Sequence, residues 1–152
     1  MTRCHECESK KLVKKLLPEE LEVAGVKFVA DLPCTVCEDC DASTISSEVL
    51  GSFELAVARK LAQLGLREGE AFRFMRKAIG KRAMDLAQDL DSTPETISRW
   101  ENGHAEIEPR AFLLLANMVE DKIRGENTTE ELIRALHDKP KKPKRIGLTL
   151  AT

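Results

Sequence analysis

The run Leu86-Ala87-Gln88-Asp89-Leu90-Asp91-Ser92-Thr93-Pro94-Glu95-Thr96-Ile97-Ser98-Arg99-Trp100-Glu101-Asn102-Gly103 carries the spacing of two short helices that cross at a tight turn. Two helices that cross closely need a small residue at the crossing, and Ala87 supplies it. The second helix needs a β-branched residue facing the first, and Ile97 stands ten positions further on. Asp91-Ser92 lies between them as the turn. Thr93-Pro94 combines an N-cap with proline at the first helical position, a strong start signal. Gly103 then ends the helix at about Asn102. Ile97 and Trp100, three apart, point inward together with Leu86 and Leu90, which leaves Glu95, Thr96, Ser98 and Arg99 facing outward.

This is the pattern of a helix-turn-helix, in which the N-terminal half of the second helix enters the major groove of double-stranded DNA. Each outward side chain has chemistry that suits that place. Arg99 can bond bidentately to guanine O6 and N7, or clamp a phosphate. Thr96 can touch a thymine methyl or a phosphate oxygen, and the free N–H groups near Thr93 favour phosphate. Arg82, at the start of the preceding helix, is placed for the backbone. Glu95 repels phosphate, so at the groove it must accept from cytosine N4 or pair with an arginine. Ser98 and Asn102 complete the candidate set of Arg82, Thr93, Glu95, Thr96, Ser98, Arg99 and Asn102.

Outward from this motif the chain divides into four pieces. Residues 69–138 read as five helices: about Glu70 to Ile79 ending at Gly80, Arg82 to Leu90, Thr93 to Asn102, one opened by Pro109, and a last one. The Pro109 helix carries Phe112, Leu115, Val119 and Ile123 on one face. The last is predicted to start at Thr128, with Glu131 three residues on as a capping box. Residues 46–68 read as a connector helix and linker, with Leu50, Phe53, Val57, Leu61 and Leu64 as an amphipathic stripe that could also pack on either neighbour. Residues 139–152 form a basic, mobile tail with Pro140 and Pro143. Residues 1–45 read as a small module of short strands. There Val26, Phe28, Ala30, Leu32, Cys34 and Val36 alternate with period two. Pro33 predicts an edge or a bulge in that run, and Pro18 and Gly25 mark turns.

All five cysteines fall in the first piece. Cys4-His5-Glu6-Cys7 and Cys37-Glu38-Asp39-Cys40 are two C-x2-C pairs, and each such turn can aim two thiolates at one ion. Together they complete a closed tetrahedral Cys4 site, the geometry of structural zinc. Cys34 forms a further C-x2-C pair with Cys37, so it competes for a place. Cys37 and Cys40 are favoured because Cys37-Glu-Asp-Cys40-Asp mirrors Cys4-His-Glu-Cys7-Glu, while Cys34 is in phase with the apolar strand face and behaves there as a small hydrophobe. His5 lies between two ligands and reads as a bystander. One Zn2+ per chain is expected to fold the module, because about 40 residues hold too little core alone.

Composition sets the class. With 152 residues, 42% hydrophobic and 33% charged, the chain reads as a soluble globular protein of α+β class: a β-rich Cys4 module followed by an all-α helix-turn-helix domain. No apolar run is long enough to span a membrane, and the N-terminus has no apolar signal region. Cysteines without a secretory signal predict a reducing, cytoplasmic setting. The net charge of −2 does not advertise a nucleic-acid binder, and the acidic excess lies upstream of Thr128. With no nucleophile–base pair, phosphate loop or open metal site in view, a non-enzyme is expected.

The segment Pro94-Glu-Thr-Ile-Ser-Arg-Trp-Glu-Asn-Gly103 resembles the recognition-helix signature of Xre/Cro-type helix-turn-helix proteins. Joined to the Cys-x2-Cys…Cys-x2-Cys module, residues 1–125 resemble the MqsA (YgiT-type) zinc finger/helix-turn-helix antitoxins. That resemblance implies a homodimer on a palindromic operator, dimerised through its helical domains, with structural zinc. It also implies a repressor that regulates its own promoter as the antitoxin of a type II toxin–antitoxin pair, its zinc module gripping a ribonuclease toxin. The chain departs from the family pattern. Ala83 stands where a glutamine is usual, Arg82 where a Ser/Thr cap is, and Lys81 where an apolar residue is. Asp91 replaces the glycine of the turn. Glu95 replaces the asparagine that the MqsA antitoxin places in the groove.

Overall fold

Ala24 and Gly25, with φ of 51° and 74°, make the two-residue turn of an antiparallel hairpin, the primed geometry that matches strand twist. The hairpin belongs to a computed structural model that describes residues 2–151. Its strands, β1 (Leu12–Val23) and β2 (Val26–Cys37), are twelve residues each and pair without a break from Val23↔Val26 to Leu12↔Cys37. A two-residue β3 (Ser43–Thr44) pairs with β2 at Thr35 and Val36. Along β2 the expected phase holds: Leu32, Cys34 and Val36 are buried, Val26, Phe28 and Ala30 half-buried, and the residues between Val26 and Pro33 on the other face exposed.

One of the two prolines departs from the sequence reading, and the other lies at an edge as expected. Pro18 makes no turn; it lies inside β1 opposite Asp31. β1 is an edge strand of the order β1-β2-β3, so a missing N–H is tolerated there. Pro33 interrupts nothing and sits opposite Leu16. β3 pairs with β2 only at residues 35 and 36, so the second edge of β2 is open at Pro33. The strands are therefore long, not short.

Among the described residues six helices follow: α1 (Ser47–Leu64), α2 (Gly69–Ala78), α3 (Ala83–Asp89), α4 (Pro94–Glu101), α5 (Pro109–Arg124) and α6 (Thr128–His137). Ser46 caps α1 by accepting from the Val49 N–H at 3.3 Å, and Gly65 ends it in the left-handed conformation. α1 is more than a connector. Val57, Ala58 and Leu61 are buried, and the helix packs on α2, α5 and β2. The apolar stripe is narrower than predicted, since Leu50 and Leu64 at its two ends are exposed. One core joins these helices, from Phe72 and Met75 through Leu86, Ile97 and Trp100 to Leu115 and Val119. Val23, at the hairpin turn, belongs to the same core, and the two C-x2-C segments lie at the opposite, open end of the hairpin.

The capping box predicted for α6 does not form. Asn127 is the N-cap residue without a side-chain bond, and Thr128 is already helical. Asp121 of α5 substitutes for it: its Oδ2 accepts from the Thr129 N–H at 2.7 Å. A carboxylate from a neighbouring helix satisfies the orphan donor and complements the helix dipole.

Candidate metal centre and nucleic-acid interface

The two C-x2-C segments fold as a matched pair. The Cys4 N–H donates to the Ser9 carbonyl at 2.8 Å and the Glu8 N–H to the Cys4 carbonyl at 3.0 Å. In the second, the Cys37 N–H donates to the Ala42 carbonyl at 2.9 Å and the Asp41 N–H to the Cys37 carbonyl at 2.9 Å. Glu8 and Asp41, the acidic residues that made the two segments look alike, both take positive φ, 59° and 57°. The first cysteine of each knuckle is buried and the second exposed. Ser9 and Lys11 hold the knuckles together by hydrogen bonds to Asp39 at 2.6 and 3.0 Å.

This symmetry brings the Sγ atoms of Cys4, Cys7, Cys37 and Cys40 within 4.8 Å of one another. Cys4 and Cys40 are 3.6 Å apart and Cys7 and Cys37 3.5 Å, too far for a disulfide. A tetrahedron of thiolates at about 2.3 Å from one ion has edges near 3.8 Å, so the donors fit a single tetrahedral cation. The thiols also compete for charge. Backbone N–H groups of Cys7, then Glu6, lower the Cys4 thiol to about 6. The Ala42 N–H favours the Cys40 thiolate, yet the Cys7 thiol, burial, and the thiols of Cys4 and Cys37 push it up to about 12. Four crowded thiols cannot all ionise unless a cation offsets their charge. Four soft sulfur donors in this geometry suit zinc or iron. Cys34 stands apart: it is buried and its Sγ lies 3.3 Å from the Lys15 carbonyl, to which its thiol donates. His5 pairs with its neighbour Glu6 at 3.2 Å, on the surface.

The crossing of α3 and α4 follows the spacing of its residues. Leu86, Ala87, Ile97 and Trp100 are all buried, and the Trp100 ring meets Phe72 of α2 edge-on at 5.8 Å. Between the helices Asp91 takes φ of +49°, the conformation that a glycine usually supplies. Thr93 caps α4 through the Thr96 N–H at 3.2 Å. Glu95, Ser98 and Arg99 are exposed, and Arg99 has no ion-pair partner among the described residues. Thr96 is half-buried, its Oγ1 3.0 Å from that of Thr93, so it is less free than an outward position implies. Arg82 forks onto Asp85 at 2.8 and 3.1 Å; that carboxylate holds the guanidinium above its ordinary range, and is itself held down by it. Asn102 donates to the Ser98 carbonyl at 2.8 Å and accepts from Arg73 at 2.9 Å. Its polar atoms therefore lock the end of α4.

The sequence reading missed what aims α4. Glu101 is buried, and its carboxylate receives Arg76 Nε at 2.5 Å, Arg76 Nη2 at 3.0 Å and Arg73 Nε at 3.2 Å. Arg76 also donates to the Lys81 carbonyl at 2.9 Å. This bidentate pair ties α2 to the last turn of α4 and to the entry of α3. Helical phase was the available signal: Glu101 is four residues after Ile97, on the inward face. Gly69 seals the same junction, because a Cβ there would overlap the carbonyl oxygens of Trp100 and Glu101.

Residues 72–118 match a family model described as helix-turn-helix, a segment that runs from Phe72 in α2 to Met118 in α5 and contains α3 and α4 whole. The chain thus carries a helix-turn-helix domain of Xre type beside a four-cysteine cluster able to hold one metal ion, and the match supports a DNA-binding regulator. No curated protein matches the chain. Among the described residues, no helix is long and apolar enough to cross a membrane.

Proposed function

We propose that this protein is a zinc-stabilised transcriptional repressor that reads a palindromic operator as a homodimer, and that it is the autoregulating antitoxin of a toxin–antitoxin pair. The observation that carries the DNA-binding part is the exposed N-terminal half of α4, presented with Arg99 unpaired and Thr93 at the cap, on a buried crossing of α3 and α4. Zinc is favoured over iron because paired C-x2-C segments forming a closed Cys4 site are the usual arrangement of structural zinc. Such a closed site leaves no position for an activated water, which supports a structural metal and a non-enzymatic protein. The antitoxin part is supported by the resemblance of the joined zinc and helix-turn-helix architecture.

Two experiments test the halves of this reading. A footprint of the full chain on its own promoter should protect two half-sites related by a twofold axis, about one helical turn apart or a multiple of it. Co-expression with the product of the adjacent gene should relieve toxicity and yield a co-purifying complex. Promoter protection without any neutralised neighbour would leave a stand-alone regulator. No protection on any promoter duplex would leave a docking adaptor, the outcome that Ala83 and Glu95 would then explain.

A further inference from the structure

The charge of the chain is split between its body and its end. Up to Asp138 there are 19 basic and 26 acidic residues, a net charge of −7. Beyond it Lys139, Lys141, Lys142, Lys144 and Arg145 place five cations in seven positions, with no acid following. Residues 139–151 form no helix or strand and are exposed throughout. A protein that approaches a polyanion with a net negative body gains from such an end only if that end reaches the same place.

The fold fixes where the tail begins. His137 Nε2, at the end of α6, lies 2.9 Å from Asp91 Oδ1. Asp91 is the left-handed turn residue between α3 and α4, two positions before the α4 cap. His137 and Asp138 line one groove with Gln88 and Asp89 of α3. The basic run therefore leaves the body at the turn of the helix-turn-helix. Meanwhile the cations of that motif are largely engaged. Arg82 is on Asp85, Arg76 on Glu101, and Lys81 on Asp89 at 2.5 Å and Glu130 at 3.2 Å. Arg99 is left beside Glu95.

We propose that residues 139–145 are an arm that lies along the phosphates of duplex DNA held at α4; this rests on the DNA-binding reading of α3 and α4. Pro140 and Pro143 favour an extended chain of about 3.1 Å per residue, so seven residues reach about 22 Å from the root. That exceeds the roughly 12 Å width of the major groove and brings the lysines over a phosphate strand. Contacts of this kind carry affinity and no base sequence.

The test compares the full chain with K139Q/K141Q/K142Q/K144Q/R145Q on the promoter duplex and on a scrambled duplex, over a range of salt. Each phosphate contact contributes about 0.9 to the slope of log K against log salt, so the variant, short of five cations, should lose up to about 4.5 per protomer. Both duplexes should weaken together, with their affinity ratio kept. The control I146S/L148S/L150S should leave the slope unchanged. An unchanged slope in the glutamine variant, with promoter binding intact, overturns the arm and spares the function. A changed ratio overturns its sequence independence. Failure of the full chain on every duplex overturns the DNA-binding reading and the arm with it.

Discussion

Arg99 and Glu101, two residues apart on α4, divide the work of one helix between solvent and core. Arg99 faces out and is available to a ligand, whereas Glu101 faces in and holds Arg76 through two bonds. Glu101→Gln keeps the shape and removes the charge, leaving the Arg76 guanidinium buried without its counter-ion. Breaking one partner of a buried pair costs about 3–5 kcal/mol, so urea unfolding should show a fall of that order. A change within about 0.5 kcal/mol would show that the pair is not what fixes α4. Glu120 on α5 has a milder role. Its carboxylate accepts from Arg59 of α1 at 2.6 and 2.9 Å, and that guanidinium holds it below the usual range. A carboxylate lowered in the folded state stabilises the protein above its unfolded value of 4.5, and the gain is lost as pH falls through the folded value. Both groups are about a third exposed, so the effect is below about 1 kcal/mol. Melting curves from pH 6 to 3 should therefore converge for wild type and Glu120→Gln; parallel curves would deny the pair this role. Glu95, Ser98 and Arg99 were legible as outward from spacing alone, while Thr96 is half-buried against Thr93. The inward charge was signalled only by helical phase, because a carboxylate in such a pattern looks solvated until its partner, 25 residues away, is placed beside it.

Element by element, the local signals that survived are those that need nothing from elsewhere in the chain. The Thr93-Pro94 start, the Gly80 and Gly103 stops and the Gly25 turn act within a few residues, and each lies where its sequence puts it. The signals that failed were overridden by neighbours. Pro18 marks no turn and sits within β1, where the strand order leaves an edge open, whereas Pro33, which predicted an edge, does lie beside an open edge of β2. The Thr128 box gave way to Asp121 from α5. Asp121→Ala should accordingly destabilise α6 by about 1 kcal/mol, read as faster amide exchange at Thr129, while Glu131→Ala should leave that amide unchanged. The reverse order would restore the capping box. Gly69 makes a similar point. Gly69→Ala would raise helix propensity in an isolated α2, yet here the added methyl meets the backbone of Trp100 and Glu101. A melting temperature lowered by several degrees is expected; a rise would mean that the junction of α2 and α4 is loose.

At the scale of the whole molecule a long hairpin separates two sites, with its turn in the helical core and its open end on four thiols. The composition pointed to neither, since a net charge of −2 hides a basic end and an acidic body. The mirrored C-x2-C segments were legible because each knuckle is local. Choosing Cys37 and Cys40 over Cys34 depended on strand phase, which places Cys34 on the buried face with its thiol on the Lys15 carbonyl. Removing the metal should loosen the knuckles and leave the helices, whose core the hairpin joins at its turn and not at its thiols: chelation should release one equivalent of zinc, with most of the helical circular dichroism kept. Cys34→Ala should still release one equivalent, and Cys37→Ala none. Full loss of helix on chelation would mean that the two parts fold as one unit. The central claim is that α4 carries the DNA contact, and a fluorescence-anisotropy titration of the promoter duplex with wild type and Arg99→Ala tests it most directly. The expected result is a loss of about 1–3 kcal/mol, or roughly 5- to 150-fold in affinity, for the variant on the promoter. Equal binding by the two proteins, or no saturable binding by either, would contradict it.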